Sequence, residues 1–489
     1  PHHAHAMPTP CPRHAHAIST PQAGADAATL PLPPGAHASR KPRQNSCKFW
    51  EEGRCGRGLN CQFWHNPALA QRDAAQQLNE ARWAELAQLS SLAHAAALLG
   101  RRAACRHAMA RAKALLALLD ADGAAAGVEA GGEVEDEMGE SMSLTFRRGE
   151  MRREVTRLTA FTRAGATPRL GRYFCRSFVF SSRLLSETQQ GAGGAAAAAA
   201  ATAAEAASPS QQAAAEQLLA ALRLTFGLEQ AARLGLASVA RCERRLHRML
   251  SPQGTLRWER IFRTDGQPSA LPLKLEVASG TGDWVAAQAL AEVGAANWAA
   301  LELRHDRVYD IFSRMVLQAV PNLAVIGGDA AQVLADHVAP RSVAHIFVNF
   351  PEPPHRAIGR GAGIDVESTT NALAMLNPSF FRAMHGALSP GGMLTILSDN
   401  KDYVRSLAAT VAALREHEGG GPASPRLLHS VALPEHEGEP RGSVEGVHVY
   451  AGMPGPSAGH AVESKSYFDR FWEHGQHTGR HYLVLRRPA

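Results

Sequence analysis

The stretch LPLKLEVASGTGDWVAAQAL, Leu271–Leu290, decides the fold class. Its apolar residues predict a buried strand over Leu273–Val277, its glycines a turn over Ala278–Gly282, and the apolar spacing that follows a helix over Asp283–Ala291. Beyond Leu250 such strands alternate with helices to the C-terminus. That alternation predicts an α/β domain built on a parallel sheet.

The turn has the features of a nucleotide-binding loop. Gly280 and Gly282 allow the backbone to approach a ligand at the N-terminus of the helix. The next predicted strand, Trp298–Leu303, carries Glu302 about twenty residues after the loop, where a carboxylate accepts bonds from both ribose hydroxyls. On these residues NAD and S-adenosylmethionine fit equally well. Glu276, inside the first strand, favours the methyl donor S-adenosylmethionine.

A third predicted strand, Leu323–Ile326, adds another acid. It ends in Gly-Gly-Asp-Ala, so that Asp329 and Ala330 lie at the next strand edge, near the expected place of an adenine. Three acids at successive strand ends of one α/β unit predict a donor site at one edge of the sheet. A nicotinamide dehydrogenase is disfavoured, because no His/Lys or Tyr/Lys pair for hydride transfer occupies these strand ends.

From Trp258 to Arg487 the chain resembles the tRNA (guanine-N7-)-methyltransferases, a class I S-adenosylmethionine-dependent family. Five motifs carry the resemblance: the Glu-x-Gly-x-Gly-x-Gly loop at Glu276–Gly282, the ribose-binding acid Glu302, the Gly-Asp-Ala motif at Asp329, the Asn-Phe-Pro-Asp-Pro motif at Asn349, Phe350, Pro351, Glu352 and Pro353, and the Pro-Gly-Gly turn and strand end at Pro390, Gly391, Gly392, Ser398 and Asp399, followed by Tyr403. A late Thr-x-x-Glu motif is matched loosely by Ser466 and Asp469.

The resemblance implies a Rossmann-like class I methyltransferase domain that, with a helical lead-in, covers residues 211–489. It implies methyl transfer to guanine N7, most readily in tRNA. The donor-binding residues that it implies are Glu276, Gly280, Gly282, Glu302, Asp329 and Ala330. The catalytic residues are Asn349, Glu352 and Asp399, with the Glu352 carboxylate accepting from guanine N1–H and the exocyclic amine. The other substrate-binding residues are Pro351, Arg356, Ser398, Ser466 and Asp469.

Three departures from the family pattern concern activity. Ala278 stands where the family has its first glycine, and Glu352 replaces an aspartate. After Pro354 the family's dense basic run is reduced to Arg356 and Arg360. Because phosphate contacts carry much of the affinity for nucleic acids, we expect the domain alone to bind RNA weakly. The rival hypothesis is an RNA-binding adaptor that keeps a methyltransferase-like fold without turnover.

A second motif lies near the N-terminus, in residues 46–67. Its Cys and His residues follow the spacing C-x7-C-x5-C-x3-H, and the four predicted Zn2+ ligands are Cys47, Cys55, Cys61 and His65. Three thiolates and one imidazole complete a tetrahedral site. The segment resembles the CCCH zinc fingers of RNA-binding proteins, which implies that Phe49 and Phe63 stack on RNA bases. A structural or protein-binding finger stays open as the alternative.

The remaining segments are interpreted from composition. We expect a disordered Pro/Ala/His-rich tail over residues 1–45, a helical segment over 68–119, and linkers over 120–141 and 187–210. Residues 142–186 interleave arginines with aromatic residues. Two interpretations of that segment stay open: an RNA-binding element, or a solvated helix face followed by a short strand.

Charge and cysteine content narrow the class of protein. Residues 1–240 carry 26 Lys+Arg against 20 Asp+Glu, whereas residues 241–489 carry 25 of each, so we expect an anionic partner such as RNA to meet the first half.

Seven cysteines in 489 residues indicate a reducing, intracellular compartment. No apolar run reaches the roughly 18 residues of a membrane span. The chain begins at Pro1, so we expect its start to be missing. Nucleus, cytoplasm and organelle stay open, as does the oligomeric state.

Overall fold

The computed structural model describes residues 67–98, 101–125, 133–135, 141–164, 173–180, 248–263, 266–353, 375–416, 425–436, 442–475 and 479–489. The predicted zinc ligands and the two stacking rings Phe49 and Phe63 lie outside these ranges, as does Arg356. Residues from Glu80 onward form one compact unit. Of the preceding unit, residues 1–79, the described part is the start of a helix.

The helices are α1 (Pro67–Leu98), α2 (Arg102–Ala125), α3 (Leu144–Ala164), α4 (Trp258–Ile261), α5 (Asp283–Ala291), α6 (His305–Leu317), α7 (Ala330–Asp336), α8 (Pro378–Ala387), α9 (Lys401–Ala413) and α10 (Tyr467–His474). The strands are β1 (Glu133–Glu135), β2 (Ser141–Ser143), β3 (Ser177–Val179), β4 (Leu273–Val277), β5 (Asn297–Glu302), β6 (Leu323–Gly327), β7 (Val343–Asn349), β8 (Leu388–Ser398), β9 (His429–Ser430), β10 (Gly442–Val444), β11 (Val447–Ala451) and β12 (His481–Arg486). Two short 3-10 turns, Pro434–His436 and Pro456–Ala458, complete the elements of the described residues.

One large sheet organises the domain. Its strands follow the order β10, β11, β12, β8, β7, β4, β5, β6, β3, with β9 paired to β12. The strands from β8 to β3 are parallel, whereas β12 is antiparallel to β8. Strands β5 and β6 are buried along their whole length. Such strands need cover on both faces, so the domain is a Rossmann-like α/β fold with a mixed sheet.

The first strand, turn and helix lie at the residues predicted for them. Strand β4 covers Leu273–Val277 and α5 covers Asp283–Ala291, as the apolar pattern of that stretch indicates. The predicted strand Trp298–Leu303 is shifted by one residue at both ends from β5, and the predicted strand Leu323–Ile326 is one residue shorter than β6 at its C-terminal end. Within the described residues no helix is long and apolar enough to cross a membrane.

Strand β3 comes from the arginine- and aromatic-rich segment and joins the far edge of the sheet. It pairs in parallel with β6, Ser177 opposite Val325. Phe178 and Phe180 are buried at 0% and 2% exposure. The sheet therefore extends outside residues 211–489, the range predicted for the methyltransferase domain. The described residues of this segment form helix α3 and strand β3. Binding of RNA by the segment stays a prediction.

A cluster of rings fills the core between α5 and the sheet. Trp284 of α5 lies within 5.7 Å of Trp298, 5.1 Å of Phe347 and 4.9 Å of His460, centroid to centroid. His345 stacks on Phe347 at 3.9 Å. Burial and then the charge of Lys274 lower the pKa of His460 to about 4, and burial holds that of His345 well below its usual range. Both histidines are therefore neutral at physiological pH.

Candidate functional site

The loop between β4 and α5 is held in left-handed backbone conformations. Gly280 has a φ of 54° and Gly282 a φ of 75°. A Cβ at Gly282 would lie 2.7 Å from Ile311 Cγ1, so this position needs glycine for both its conformation and its contact. Nothing lies within 4 Å of a Cβ built at Gly280. That glycine serves conformation and leaves open space beside the loop.

Ala278 also adopts a left-handed conformation, with a φ of 55°. For an alanine this conformation costs about 1–2 kcal/mol because Cβ crowds the following carbonyl. The family that the sequence resembles has a glycine here, and the positive φ is the physical reason. Ala278 therefore strains the backbone at the start of the loop, and its exposed methyl group lies beside the loop.

Glu302, the last residue of β5, fixes the loop from the neighbouring strand. Its Oε2 accepts a hydrogen bond from Gly280 N at 2.8 Å, while Oε1 accepts from Leu303 N at 2.9 Å and Arg304 N at 3.0 Å. Burial raises the pKa of this carboxyl, and the backbone donors and Arg307 oppose that rise. Oε1 thus uses both of its lone pairs and Oε2 one of two, so Glu302 can still accept one more bond, through Oε2, from a ribose hydroxyl.

Glu276 and Asn349 meet in the interior, on the adjacent strands β4 and β7. Asn349 Nδ2 donates to Glu276 Oε1 at 2.8 Å. Within the described chain, Glu276 Oε2 and Asn349 Oδ1 are buried without a hydrogen-bond partner. Burial raises the pKa of Glu276 to about 8, opposed by hydrogen bonds from Asn349 and Ser279. Two buried acceptors without donors fit a ligand that brings N–H groups, such as an ammonium.

Asp329 lies at the end of the next strand. Glu302 and Gly327 are paired across β5 and β6, and Gly328 N donates to Glu302 O at 2.9 Å. The Asp329 carboxylate accepts from Gln332 N at 3.0 Å and so caps α7, which begins at Ala330. The structure thus brings Glu276, Glu302 and Asp329 to the ends of three neighbouring strands, as the sequence predicts. Their roles in donor binding stay predictions.

The proline motif follows β7. Phe350 has a φ of 52° and donates its N–H to Leu397 O at 2.7 Å, which ties the start of the motif to β8. Pro351 and Pro353 are buried on either side of Glu352, whose side chain is exposed. A carboxylate between two buried prolines is held at the surface in a restricted direction.

The end of β8 lies beside the proline motif, because Asn349 pairs with Leu397. The next residue, Ser398, is buried, and Asn400 N donates to its Oγ at 3.2 Å. Asp399 is partly exposed. The predicted catalytic residues Asn349, Glu352 and Asp399 therefore follow or end two adjacent parallel strands. Whether each contacts a substrate remains a prediction.

The late motif has internal partners. Ser466 Oγ accepts from Asp469 N at 3.1 Å and caps α10. Asp469 is 2% exposed and accepts from Arg480 Nε at 2.6 Å. Burial raises the pKa of Asp469, and Arg480 opposes the rise. This ion pair fixes α10 next to the start of β12, and the substrate role of Ser466 and Asp469 remains a prediction.

A ladder of charges that the sequence analysis missed lies behind the loop. We name Glu150, Arg470, Asp283 and Arg314 the charge ladder, because carboxylates and guanidinium groups alternate along it. A cavity of about 410 Å³ adjoins it, lined by Arg153, Asp283, Glu463, Ser464, Lys465 and Arg470. Glu150 and Arg470 are 320 positions apart. No local pattern in the sequence could have indicated that pairing.

Within the described part of the chain, no three His, Cys, Asp or Glu side chains are grouped so that they could hold a metal ion. The four predicted zinc ligands lie outside that part. The described site is thus one of carboxylates, a glycine loop and buried amide groups.

Known sequences match the same region. The family Methyltransf_4, described as "Putative methyltransferase", matches residues 270–419. A tRNA (guanine-N(7)-)-methyltransferase of Chlamydia trachomatis serovar D is 30% identical over 172 residues, which cover 35% of this chain and 68% of that protein. The protein of the same name from Chlamydia muridarum is 33% identical over a stretch that covers 30% of this chain and 58% of that protein. The one from Chlamydia felis is 32% identical over 32% of this chain and 61% of that protein. The chain thus spans about two thirds of the first of these relatives and about six tenths of the other two.

Proposed function

The chain belongs to the tRNA (guanine-N(7)-)-methyltransferase family, and on that premise we propose that it transfers a methyl group from S-adenosylmethionine to N7 of a guanine in tRNA. One observation carries the proposal. The carboxylates Glu276, Glu302 and Asp329 end or follow three neighbouring parallel strands, with the glycine loop beside the first. In open α/β sheets, ligands bind outside the carboxyl ends of the strands.

The chemistry of the donor matches the groups at this edge. Its ammonium would satisfy the partnerless acceptors Glu276 Oε2 and Asn349 Oδ1. One of its ribose hydroxyls would donate to Glu302 Oε2, and its adenine would lie toward Asp329 and Ala330. When bound, S-adenosylmethionine supplies an electrophilic methyl group on a positively charged sulfur.

The acceptor needs little assistance from a base. Guanine N7 has a free lone pair, so no proton has to be removed from it before methylation. The methylated ring carries a positive charge, which a nearby carboxylate stabilises. We assign that role to Glu352, which would also accept from N1–H and the exocyclic amine, and to Asp399. Asn349 would orient the guanine, and orientation rather than acid–base chemistry would set the rate.

The test is methylation of unmodified tRNA transcripts by the full chain. Donor labelled in its methyl group should yield 7-methylguanosine at a single position when the product is digested and analysed by mass spectrometry. Glu352→Gln should lower kcat by about 10²-fold or more, the usual loss when one electrostatic stabiliser is removed. Binding of S-adenosylhomocysteine should not change. RNA binding without any methyl transfer would instead support the adaptor.

We also propose that residues 46–67 bind one Zn2+ through Cys47, Cys55, Cys61 and His65 and help to dock the RNA. The spacing of the ligands supports this, because four such ligands complete a tetrahedral site. Cys55→Ser should remove zinc from the purified protein, as measured by atomic absorption, and should raise the KM for tRNA while that for the donor stays unchanged. Full zinc occupancy in Cys55→Ser would rule out this ligand set.

A further inference from the structure

The donor loop is held at two points. Glu302 holds Gly280, as described above. The second point is Thr281, whose carbonyl oxygen accepts from Arg314 Nε at 2.9 Å and whose hydroxyl donates to Asp283 Oδ2 at 2.6 Å. Arg314 and Asp283 are themselves joined, Nη1 to Oδ1, at 2.8 Å. Thr281, Asp283 and Arg314 therefore form a closed ring of polar contacts under the loop.

A competing cation lies next to this ring. Arg470 Nη2 is 3.5 Å from Asp283 Oδ2, the oxygen that also accepts from Thr281. At that distance Arg470 makes a long ion pair with Asp283 and leaves the hydroxyl bond intact. If the Arg470 guanidinium were free to move, it would approach Asp283 Oδ2 and displace the Thr281 hydroxyl, because charge-assisted bonds are shorter and stronger than a bond from a neutral hydroxyl.

Glu150 of α3 restrains Arg470. Its carboxylate accepts two bonds from the guanidinium, from Nη2 at 2.6 Å and from Nε at 2.9 Å. Such a two-point pair fixes the plane of the guanidinium. The side chains of Glu150 and Arg470 are 21% and 10% exposed, so solvent screens the pair only in part. Arg470 Nη1 also donates to Lys465 O at 2.7 Å. Glu150, with this second contact, thereby keeps Arg470 from taking Asp283 away from Thr281.

We propose that Glu150 is a positioning residue for the methyl donor, acting through Arg470 and Asp283 on the conformation of the donor loop. The inference rests on the proposed function, since it takes the loop to be where the donor binds. Helix α3 precedes the methyltransferase motifs by more than a hundred residues. The proposal means that this helix contributes to the conformation of the donor site.

The experiment measures binding of S-adenosylhomocysteine to the full chain by isothermal titration calorimetry. Glu150→Ala should raise Kd about 3–10-fold, a coupling in the range found for contacting charged residues. The decisive variant is Glu150→Ala with Arg470→Met. Once the freed guanidinium is removed, Asp283 returns to Thr281 and Arg314, and Kd should recover to within about 2-fold of the parent, the limit of additive behaviour.

The matched control is Asp120→Ala. Asp120 of α2 forms an ion pair with Arg152 of α3, and neither residue belongs to the charge ladder. Because that ion pair is exposed, this variant should lower the melting temperature of the protein by less than Glu150→Ala, with Kd unchanged. If Glu150→Ala does not fold, Glu150→Gln takes its place, since it keeps one acceptor for Arg470 and removes the charge.

Two outcomes would overturn the inference. One is a Kd that does not change in Glu150→Ala, and the other is a double variant that binds as weakly as the single one, which would mark Glu150 as merely structural. If the parent protein binds no S-adenosylhomocysteine, the proposed function fails and the inference with it. The parent and the variants therefore report the two failures separately.

Discussion

The side chains of Glu276 and Asn349 share one hydrogen bond of 2.8 Å and each keep one buried acceptor without a partner in the described structure. A protonated Glu276 reduces the cost of this arrangement, and burial raises the pKa of that carboxyl to about 8. An ammonium would satisfy both acceptors. Stability and donor binding therefore make opposite demands on the same carboxyl group.

The first prediction concerns stability against pH. The unfolded chain releases the Glu276 proton near pH 4.5, whereas the folded chain keeps it up to about pH 8. Between these values the free energy of unfolding falls as pH rises, by at most about 1.4 kcal/mol per unit. Glu276→Gln should remove this slope and raise the stability at pH 8 in urea denaturation. Glu473→Gln, which alters the exposed partner of Lys465, should leave the slope as it is.

The second prediction concerns Ala278. Ala278→Gly relieves about 1–2 kcal/mol of left-handed strain in the folded chain. The glycine also gives the unfolded chain more conformational entropy, which costs about 0.4–1 kcal/mol of stability. We therefore expect the free energy of unfolding to rise by roughly 0.5–1 kcal/mol. Kd for S-adenosylhomocysteine should also fall, because the methyl group leaves the loop. The control is Ala319→Gly, at another exposed alanine with a φ of 55°. It should give the gain in stability alone; equal tightening of Kd by both variants would contradict the explanation.

The third prediction concerns acid. His460 titrates near pH 4 in the folded chain against about 6.5 when unfolded, so the unfolded state gains a proton first as pH falls through this window. The loss reaches about 3 kcal/mol at pH 4. His460→Phe should keep the ring contacts and lower the pH of half-unfolding, as followed by circular dichroism. The exposed His429→Ala should not change that pH; an equal shift there would argue against burial as the cause.

The fourth prediction concerns β3. Phe178 is fully buried, so Phe178→Ala should cost about 3–5 kcal/mol in the free energy of unfolding. Phe178→Leu, which keeps most of the volume, should cost less than about 1.5 kcal/mol. Guanidinium denaturation of the full chain provides both values. A cost below about 1 kcal/mol for Phe178→Ala would mean that β3 contributes little to the sheet.

Sequence reasoning was accurate where structure is determined locally. Strand β4, the glycine loop and α5 depend on apolar spacing and on backbone freedom within twenty residues, and both are visible in the sequence. The positive φ of Ala278 also follows from the family pattern, because the family places glycine there. The strand ends then bring Glu276, Glu302 and Asp329 together, since parallel neighbours end at one edge.

Sequence reasoning could not choose between roles where one type of residue serves two purposes. Arginine beside aromatic rings is typical of RNA binding, yet Arg176 is buried, donates to Pro321 O and lies over the Phe262 ring at 5.4 Å. Ser-x-x-Asp likewise matches both a substrate motif and a helix cap, and in α10 Ser466 forms the cap. The choice depends on what surrounds the side chain, which the local sequence does not contain.

The pairing of β3 with β6 has a consequence for how the protein is made. Ser177 and its partner Val325 are about 150 residues apart, so a ribosome adding about 5–20 residues per second makes the first strand roughly 7–30 s before the second. During that interval Phe178 and Phe180 have no β6 against which to be buried. Contacts between such distant residues also form slowly. The newly made chain therefore exposes these two aromatic rings until β6 has been synthesised, and hydrophobic surface exposed in this way favours aggregation.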